Sequence, residues 1–538
     1  MGQWIPKTIG KMVDEAAQMY PDREFIVIGQ DRISYSKLKE VVDQLAKGFL
    51  SLGIKPREKV ALWLPNVLPW VYSMFAISKI GAIFVPVNTR FKVMELEYLL
   101  KQSDSSALIL PDEFLKINYV DLVYQLCSEL KRAALGKLDS PKFPLLKTVV
   151  CTSDKSYPGL YRFNEILALG KEINLEPIAD DVRPEQTVII LYTSGSTGFP
   201  KGVMLTHNNI LRNGFEIGER LGLRKEDHYL NPCPLYHNSG LVNGILATLT
   251  HGCCLFTIPF FDAEACLKII DEEKCTAILG IQTMFLKMLE SPNFKSVNLS
   301  SLRTGLTTGT PQTVRDLYEK MGVRKITNVF GISEASPVCS ISDCENDPLE
   351  TRISKMGKPL PEVEMKIIHP QTGEMLKPNE KGEICVRGWN IMKGYYKNAG
   401  ETAKTIDPEG WLHTGDLGSI DENGYVFFAG RIKNIVRVGG ENVSPEEVED
   451  FIYKNPKIQQ VEIVGIPDAK YGEAIVAYIE LKEGMKATGE EIIDSLRGQI
   501  ANFKIPKIVK FIKDWPMTGS GKVQKFKLKE MAMENLRK

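Results

Sequence analysis

The sequence predicts an α/β protein with a large N-terminal domain of doubly wound sheets, a β subdomain, and a small α+β C-terminal domain joined by a hinge. Helical patterns alternate with short apolar runs over the first half of the chain, which is typical of parallel sheets covered by helices. Short strands and turns follow from about residue 350, and a new α+β pattern begins after residue 434. At 538 residues the chain is also too long for one ordinary core.

The first half supplies helix and strand signals in turn. Residues 35–53 have the spacing of an amphipathic helix that ends at a glycine, and residues 70–80 predict a second helix. Four apolar runs predict buried strands: 59–64, 82–87, 107–110 and 148–151. One nucleotide-binding unit would need far fewer residues, so the large domain is expected to contain more than one sheet.

The stretch 228–261 contains no Asp, Glu, Lys or Arg and resembles a membrane span at first sight. It also contains several Asn, Pro and Gly residues, which a membrane-spanning helix rarely accumulates. A buried helix followed by a buried strand is therefore expected, and no transmembrane segment. Peripheral attachment to a membrane is compatible with the sequence.

The second half changes character. Residues 363–387 predict two short strands around a turn, and Asn423-Gly424 predicts the turn of a further hairpin over 420–428. The last hundred residues predict the following elements: helices at 445–454 and 489–501, and strands at 460–465 and 474–481. We expect a large domain over 1–430 (with its β subdomain at about 350–430), a hinge at 431–434, and a small mobile domain over 435–538.

Charge and cysteine usage exclude several function classes. Lys plus Arg equals Asp plus Glu at 67 each, so the basic excess of a nucleic-acid-binding protein is absent. The ten cysteines form no C-x-x-C pair, and the six histidines show no zinc-ligand spacing. Scattered thiols and an N-terminus without a long apolar run predict a protein of the reducing cytoplasm. The sequence leaves a homodimer open.

A glycine- and hydroxyl-rich loop follows the predicted strand 188–192. It consists of Thr193, Ser194, Gly195, Ser196, Thr197 and Gly198, with Lys201 close behind. Glycines allow close backbone approach, and hydroxyl, amide and ammonium groups donate hydrogen bonds to phosphate oxygens. The spacing is not that of a Walker loop, and neither is the spacing at Gly519–Lys522. Taken alone, the loop predicts either a phosphate-binding site or a surface turn.

Residues 191–210, LYTSGSTGFPKGVMLTHNNI, resemble the signature of the adenylate-forming superfamily, which includes acyl-CoA synthetases, luciferases and peptide-synthetase adenylation domains. Four further motifs of that superfamily are matched in order: 328–334 (NVFGISE), 411–417 (WLHTGDL), 430–434 (GRIKN) and 516–522 (PMTGSGK). Ser333 replaces the usual threonine and keeps the hydroxyl. Asn434 stands where the family often has aspartate. The resemblance extends from about residue 35 to 525.

The resemblance implies that a carboxylate attacks the α-phosphate of ATP and expels pyrophosphate. Such a reaction brings anions together, so cations and hydrogen-bond donors must stabilise the transition state. By resemblance, Lys522 bridges the acid and the α-phosphate, and Ser333 contacts phosphate. Glu334 is implied as the ligand of Mg²⁺, which prefers hard oxygen ligands.

The same resemblance assigns the nucleoside part of the site. Asp416 would accept both ribose hydroxyls, and Arg431 would contact the sugar or phosphate region. Phe330 would offer a face to the adenine. The backbone of Gly309, Thr310 and Pro311 would line the other side of the adenine. Asn328 and Gly331 are further residues expected to bind the nucleotide. Each residue also has an ordinary structural interpretation, such as core packing for Phe330 or a turn cap for Asp416.

The hinge and the acyl site are also implied by resemblance. In this superfamily the small domain rotates about a hinge, here at Lys433, between one pose for adenylation and one for thioester formation. The second pose would bring in Gly439, Gly440 and Glu441, where glycines let the narrow pantetheine arm of coenzyme A pass. His237 would lie beside the acyl-binding pocket; its alternative is a structural histidine.

The sequence therefore predicts an AMP-forming acid–CoA ligase that uses ATP, Mg²⁺ and coenzyme A. Its substrate is expected to be a fatty, alicyclic or aryl carboxylic acid. The alternative is an adenylation enzyme that loads an acid onto a carrier protein. Luciferase-type oxygenation and a non-enzymatic binding protein on the same fold are further alternatives, and the retained Lys522, Glu334 and Asp416 argue against the last.

Overall fold

A computed structural model describes residues 4–193, 200–438, 441–468, 471–518 and 522–536. Within these ranges the strands are β1 (Glu24–Ile28), β2 (Asp31–Ser34), β3 (Lys59–Leu62), β4 (Ile83–Pro86), β5 (Ser105–Leu110), β6 (Glu113–Phe114), β7 (Ile117–Asn118), β8 (Thr148–Cys151), β9 (Tyr161–Arg162), β10 (Thr187–Thr193), β11 (Lys201–Thr206), β12 (His228–Leu230), β13 (Cys254–Thr257), β14 (Ala277–Ile281), β15 (Thr304–Thr308), β16 (Lys325–Gly331), β17 (Val338–Ile341), β18 (Lys358–Pro359), β19 (Val363–Ile368), β20 (Gly382–Gly388), β21 (Gly394–Tyr395), β22 (Leu412–Ile420), β23 (Val426–Arg431), β24 (Val436–Val438), β25 (Glu441–Val443), β26 (Ile458–Asp468), β27 (Gly472–Leu481) and β28 (Ile508–Phe511).

The helices in the same ranges are α1 (Ile9–Met19), α2 (Tyr35–Ser51), α3 (Leu68–Lys79), α4 (Val93–Ser103), α5 (Tyr119–Leu126), α6 (Phe163–Leu167), α7 (Glu176–Asp181), α8 (His207–Leu221), α9 (Asn238–Gly240), α10 (Ala247–His251), α11 (Ala263–Glu272), α12 (Gln282–Leu289), α13 (Pro311–Glu319), α14 (Leu349–Ser354), α15 (Ala399–Thr405), α16 (Pro445–Tyr453), α17 (Gly489–Leu496) and α18 (Lys525–Leu536).

Two large sheets organise the first two thirds of the chain. One has the order β18-β17-β16-β15-β14-β12-β13-β1-β2, and the other β21-β11-β10-β4-β3-β5-β8-β9. Their central strands pair in parallel, as in β3–β5 and β14–β16, so the predicted α/β class and doubly wound sheets are confirmed. Antiparallel pairs occur towards the edges. One of them is β10–β11, in which Thr193 lies opposite Lys201. The sequence analysis did not predict this pair.

Helices α2, α3 and α8 contribute to the largest buried core, together with residues of both sheets. The α3 helix is buried almost all round, which agrees with its uniformly apolar sequence. It ends at Lys79, whose side chain is 5% exposed and whose ammonium lies 2.6 Å from carboxylate oxygens of both Asp14 and Asp43. A buried charge needs such partners, so this triad joins α3 to α1 and α2.

The uncharged stretch 228–261 forms β12, a helical segment and β13. The predicted helix followed by a strand is confirmed, and a short strand precedes them. The helical segment contains a π-helical part, Leu241–Leu246, between α9 and α10. Such widened turns are frequent at functional sites. Among the described residues, the structure contains no helix with the length and apolarity needed to span a membrane.

The third sheet has four antiparallel strands in the order β19-β20-β22-β23, with the expected hairpin between β22 and β23. The last sheet runs β25-β24-β27-β26, with β28 pairing to β27, and carries α16, α17 and α18 nearby. The predicted helix 489–501 is too long: α17 ends at Leu496, because Arg497 is extended and Gly498 has a φ of +76°. The proposed domain bounds stay predictions.

Candidate functional site

The hydroxyl-rich loop joins two paired strands. Thr193 ends β10 and lies opposite Lys201, the first residue of β11. The loop residues between them, Ser194 to Gly198, lie outside the described residues. Thr206 then caps α8, accepting a hydrogen bond from the backbone N–H of Asn209 at 3.1 Å. The hairpin and the capped helix therefore fix both ends of the predicted phosphate-binding segment.

Lys201 connects this loop to Glu334 through an aromatic ring. Its ammonium pairs with Glu401 and lies 5.1 Å from the centre of the Tyr395 ring. The Tyr395 hydroxyl donates a 2.8 Å hydrogen bond to Glu334 Oε1. The positive charges of Lys201 and Lys404 lower the pKa of Glu401 to about 2. Sequence reasoning missed Tyr395 and Glu401, which lie outside every matched motif.

Strand β16 and the short 3₁₀ helix after it carry the 328–334 motif. Asn328 Nδ2 donates to the backbone oxygen of Gly309 at 3.1 Å, which joins the two predicted lining segments. A Cβ at Gly331 would lie 2.1 Å from Pro337 O, so only glycine fits there. Phe330 is 4% exposed, and its ring centre lies 5.9 Å from that of Phe428. Its contact with adenine stays a prediction.

The segment 309–311 begins α13. Thr310 is the N-cap and its Oγ1 accepts a hydrogen bond from Thr313 N, while Pro311 occupies the first turn. The backbone N–H of Thr310 donates to Gln282 Oε1 at 3.2 Å. These contacts hold the segment in one conformation beside β16.

Asp416 and Arg431 face each other across β22 and β23, where they are directly paired. Arg431 Nε lies 3.1 Å from Asp416 Oδ1 but is not aligned for a hydrogen bond, and that oxygen has no other hydrogen-bond partner among the described residues. Asp416 is 2% exposed. Burial raises the pKa of its carboxyl to about 6, although the charge of Arg431 acts in the opposite direction. The free oxygen leaves room to accept a ligand hydroxyl.

Three cations lie within electrostatic reach of Asp416. Burial and the charge of Arg431 lower the pKa of Lys522, whereas the charge of Asp416 opposes that shift. Burial and the charge of Arg431 also lower the pKa of Lys433. The charge of Lys201 acts in the same direction, and the carboxylates of Asp416 and Glu334 oppose the shift. The Lys522 side chain is exposed to solvent, although neighbouring protein atoms displace part of its water. The structure thus gathers the predicted phosphate-side residues from distant parts of the chain.

His237 lies within electrostatic range of Lys522. It caps α9, with Nδ1 3.1 Å from Ser239 Oγ. Burial and the neighbouring charge of Lys522 lower the pKa of the imidazole to about 4, which keeps it neutral. Next to it, both polar side-chain atoms of the buried Asn238 lack a hydrogen-bond partner among the described residues.

The predicted coenzyme A segment is described only in part. Glu441 is exposed and begins β25, where it pairs with Val438 of β24. Gly439 and Gly440 lie outside the described residues. Ser333, by contrast, opens the 3₁₀ helix that also carries Glu334.

A half-buried ion cluster three residues after Lys522 was not foreseen from the sequence. Lys525, the first residue of α18, lies 2.6 Å from Glu449 Oε1 and 3.2 Å from Glu462 Oε2. The two carboxylates raise the pKa of Lys525, which outweighs its burial. Three residues before Lys525, the backbone N–H of Lys522 donates a hydrogen bond to Thr518 Oγ1 at 3.0 Å. These contacts fix the base of the segment that presents Lys522.

Comparison with known proteins follows the same division of the chain. The AMP-binding enzyme family matches residues 13–396, and the AMP-binding enzyme C-terminal domain family matches residues 447–522. YngI of Bacillus subtilis (strain 168), an acyl-CoA synthetase by name, is 40% identical over 99% of this chain and 98% of its own length. The mitochondrial medium-chain acyl-CoA ligase ACSF2 of Rattus norvegicus is 37% identical over 99% of this chain and 89% of its own.

Solved structures show the same architecture. ATP-bound MatB from Rhodopseudomonas palustris has a TM-score of 0.84 and 25% identity, covering 98% of this chain and 99% of MatB. The anthranilate CoA ligase AuaEII, in complex with anthranoyl-AMP, has a TM-score of 0.89 over 100% of this chain and 99% of its own. AuaEII is 24% identical to this chain, so the similarity to it concerns the fold alone.

Lys525→Met should weaken the positioning of Lys522. Because the variant leaves two half-buried carboxylates without their cation and frees the base of the 522 segment, we expect acid-dependent ATP–pyrophosphate exchange to lose about 100-fold in kcat, the scale of a small misplacement. The KM for ATP should change much less. Lys525→Arg should restore most of the rate, and Lys522→Ala sets the floor.

Lys529→Met is the matched control, because Lys529 lies on the same helix and makes only a 3.5 Å pair with Glu473. It should retain its exchange rate. Near-normal kcat in a folded Lys525→Met protein, or an equal loss in Lys529→Met, would remove Lys525 from this role.

Proposed function

The chain belongs to the AMP-binding enzyme family, and on this premise we propose how it acts as an AMP-forming acid–CoA ligase on a medium-chain fatty acid. ATP and the carboxylate give acyl-AMP and pyrophosphate, and coenzyme A then gives acyl-CoA and AMP. The observation that carries the proposal is the position of Lys522. Its ammonium lies within electrostatic range of Asp416 and Arg431, and its charge also acts on His237.

The first half-reaction needs positive charge around the phosphates. Four cations near the carboxylates of Asp416 and Glu334 are expected to supply that charge: Lys201, Arg431, Lys433 and Lys522. Lys522 would contact the α-phosphate and the attacking carboxylate, so that the developing negative charge meets a fixed ammonium. The described ends of the hydroxyl-rich loop, Thr193 and Lys201, support its role in holding the pyrophosphate as it leaves.

Glu334 fits a magnesium ligand. Its carboxylate is a hard oxygen donor, Tyr395 orients one of its oxygens, and Mg²⁺ is commonly held by one or two carboxylates together with substrate phosphates. When bound there, the ion would neutralise phosphate charge. Ser333, one residue earlier, begins the same 3₁₀ helix, and its hydroxyl would donate to a phosphate oxygen.

Asp416 and Phe330 would select the nucleoside. Asp416 Oδ1 is buried and accepts no hydrogen bond among the described residues, so it can accept a ribose hydroxyl, and its ion pair with Arg431 keeps the carboxylate oriented from the facing strand. Phe330 lies in β16 beside the Gly309–Pro311 segment that Asn328 holds. The adenine is expected between these elements.

The acid is expected to lie past His237, along the uncharged stretch 228–261. A neutral imidazole and an apolar wall suit a hydrocarbon chain better than a charged one. The medium chain length rests on the likeness to ACSF2, which is a medium-chain acyl-CoA ligase by name. Loading of a separate carrier protein is the competing function, and it differs in the thiol that accepts the acyl group.

An acid panel tests the substrate and the acceptor together. We expect AMP release to be greatest with fatty acids of medium chain length, to be lower with very short, very long and aryl acids, and to require coenzyme A for turnover. The measurement is AMP formation for each acid with and without coenzyme A. Adenylate formation that no acid converts to a thioester with coenzyme A would favour the carrier-loading function.

Lys433→Pro tests the two-pose mechanism. Lys433 lies in the 3₁₀ helix Ile432–Asn434 between β23 and β24, and proline there fixes φ and removes the backbone N–H. The variant should slow thioester formation more than adenylation, because only the second step needs rotation about this segment. Pyrophosphate exchange and single-turnover acyl transfer measure the two steps separately. Equal losses in both would contradict a hinge at this residue.

Asp416 should also set an acidic limit for ATP use. Because burial raises its pKa to about 6, the carboxylate becomes protonated as the pH falls, and it loses its negative charge towards the ribose hydroxyls. The kcat/KM for ATP should therefore fall from about pH 7 to about pH 5, since this ratio reports ionisation of the free enzyme.

Asp416→Asn isolates that group. Its kcat/KM should be low throughout and should lack the inflection near pH 6 that the raised pKa of Asp416 produces, whereas the titrations of ATP and of other residues are common to both proteins. If both profiles bend at the same pH, another group sets the limit.

A further inference from the structure

A mixed cluster of sulfur, nitrogen and oxygen ligands lies on the four-stranded sheet. Cys385 of β20 and His413 of β22 are directly opposite each other in the antiparallel pair. Glu383 is two residues before Cys385 on β20, and an irregularity in the pairing lies between them. Residues two apart share a face of a strand, so all three side chains converge on one point.

The spacing of these atoms matches a tetrahedral metal site. Cys385 Sγ lies 3.7 Å and Glu383 Oε2 lies 3.3 Å from His413 Nδ1, and one ligand atom of each residue lies within 4.8 Å of the others. Bond lengths of about 2.3 Å to sulfur and about 2.0 Å to nitrogen and oxygen give ligand–ligand separations of roughly 3.3–3.6 Å in a tetrahedral zinc site. Little movement is needed to bind an ion.

The surrounding contacts are those that orient metal ligands. The other ring nitrogen of His413, Nε2, lies 3.5 Å from Asp407 Oδ2, as in the carboxylate–histidine pairs that support bound zinc. Glu383 Oε1 accepts a 3.0 Å hydrogen bond from Gly415 N–H, which leaves Oε2 directed at the cluster. The three ligands and their two supports thus face one point from both strands and from the turn before β22.

Charge and access also suit a divalent ion. Once the thiol is ionised, Cys385 and Glu383 together supply two negative charges and His413 supplies none, which balances an ion such as Zn²⁺. The His413 side chain is 32% exposed and gives a path from solvent, whereas Cys385 is fully buried.

We propose that Glu383, Cys385 and His413 form a binding site for Zn²⁺, with the fourth position open to water or another small ligand. The site lies three residues from Asp416 along β22, through Thr414 and Gly415, and is separate from the phosphate-side cations. No spacing along the chain reveals it, because the ligands are brought together only by the pairing of β20 with β22.

Metal binding to the purified full-length protein tests the proposal. After treatment with a chelator, Co²⁺ is added as a spectroscopic probe and then displaced with Zn²⁺. We expect one equivalent of Co²⁺ to give the near-ultraviolet absorption of a cobalt–thiolate bond together with visible bands of tetrahedral intensity, and Zn²⁺ to abolish both.

Variants connect the signal to these residues. Cys385→Ser and His413→Gln should each remove the thiolate absorption or lower the affinity by more than about 100-fold, and Asp407→Asn should weaken binding by about 10-fold, as loss of a supporting carboxylate does. Cys266→Ser is the matched control, since Cys266 is also buried and free but lies in another core. It should bind as the parent protein does.

Thermal unfolding with and without Zn²⁺ gives a second readout for any variant that folds poorly. The parent protein should be stabilised by the ion, and the Cys385 variant should not be. Absence of a thiolate band in the parent protein, or unchanged binding in Cys385→Ser, would overturn the proposal.

Discussion

The cleft holds cations that would repel one another if they were not balanced. Lys201, Arg431, Lys433 and Lys522 come from separate strands, a 3₁₀ helix and the C-terminal segment, and Asp416 and Glu334 stand among them. The surrounding protein lowers the pKa of Lys433 and Lys522, whose side chains are still exposed, and burial raises the pKa of Asp416. A polyphosphate bound among these cations would relieve the repulsion, which is the reason the proposed ATP site lies here.

Neighbouring charges hold these residues in place. Glu401 and the Tyr395 ring fix Lys201, Tyr395 in turn orients Glu334, and the Glu449–Glu462 pair anchors Lys525 near Lys522. Buried charges are costly unless they are paired, and here the pairing also sets positions. Lys201, Glu334 and Lys522 are thus held in position by neighbouring residues that need not contact the substrate themselves.

Each predicted motif is a local signal, and the local structure around these motifs could be predicted for that reason. A strand before a glycine-rich loop, a glycine that admits no Cβ at 331, and a carboxylate facing an arginine across a hairpin all arise from neighbours in sequence or from one turn. The boundaries were less accurate, as the end of α17 shows. Helix ends depend on one or two backbone angles, and Gly498 decided this one.

The sequence by itself determined the α/β class and the order of the motifs, since these depend on residue types and short spacings, and the resemblance that the motifs carry indicated the chemistry of adenylate formation. Only the tertiary structure decided that Tyr395 joins Lys201 to Glu334, that Lys525 lies half-buried between two carboxylates, and that Cys385 meets His413. Such partners are separated by tens to hundreds of residues. Strand register and helix packing bring them together, and neither can be derived from a local pattern.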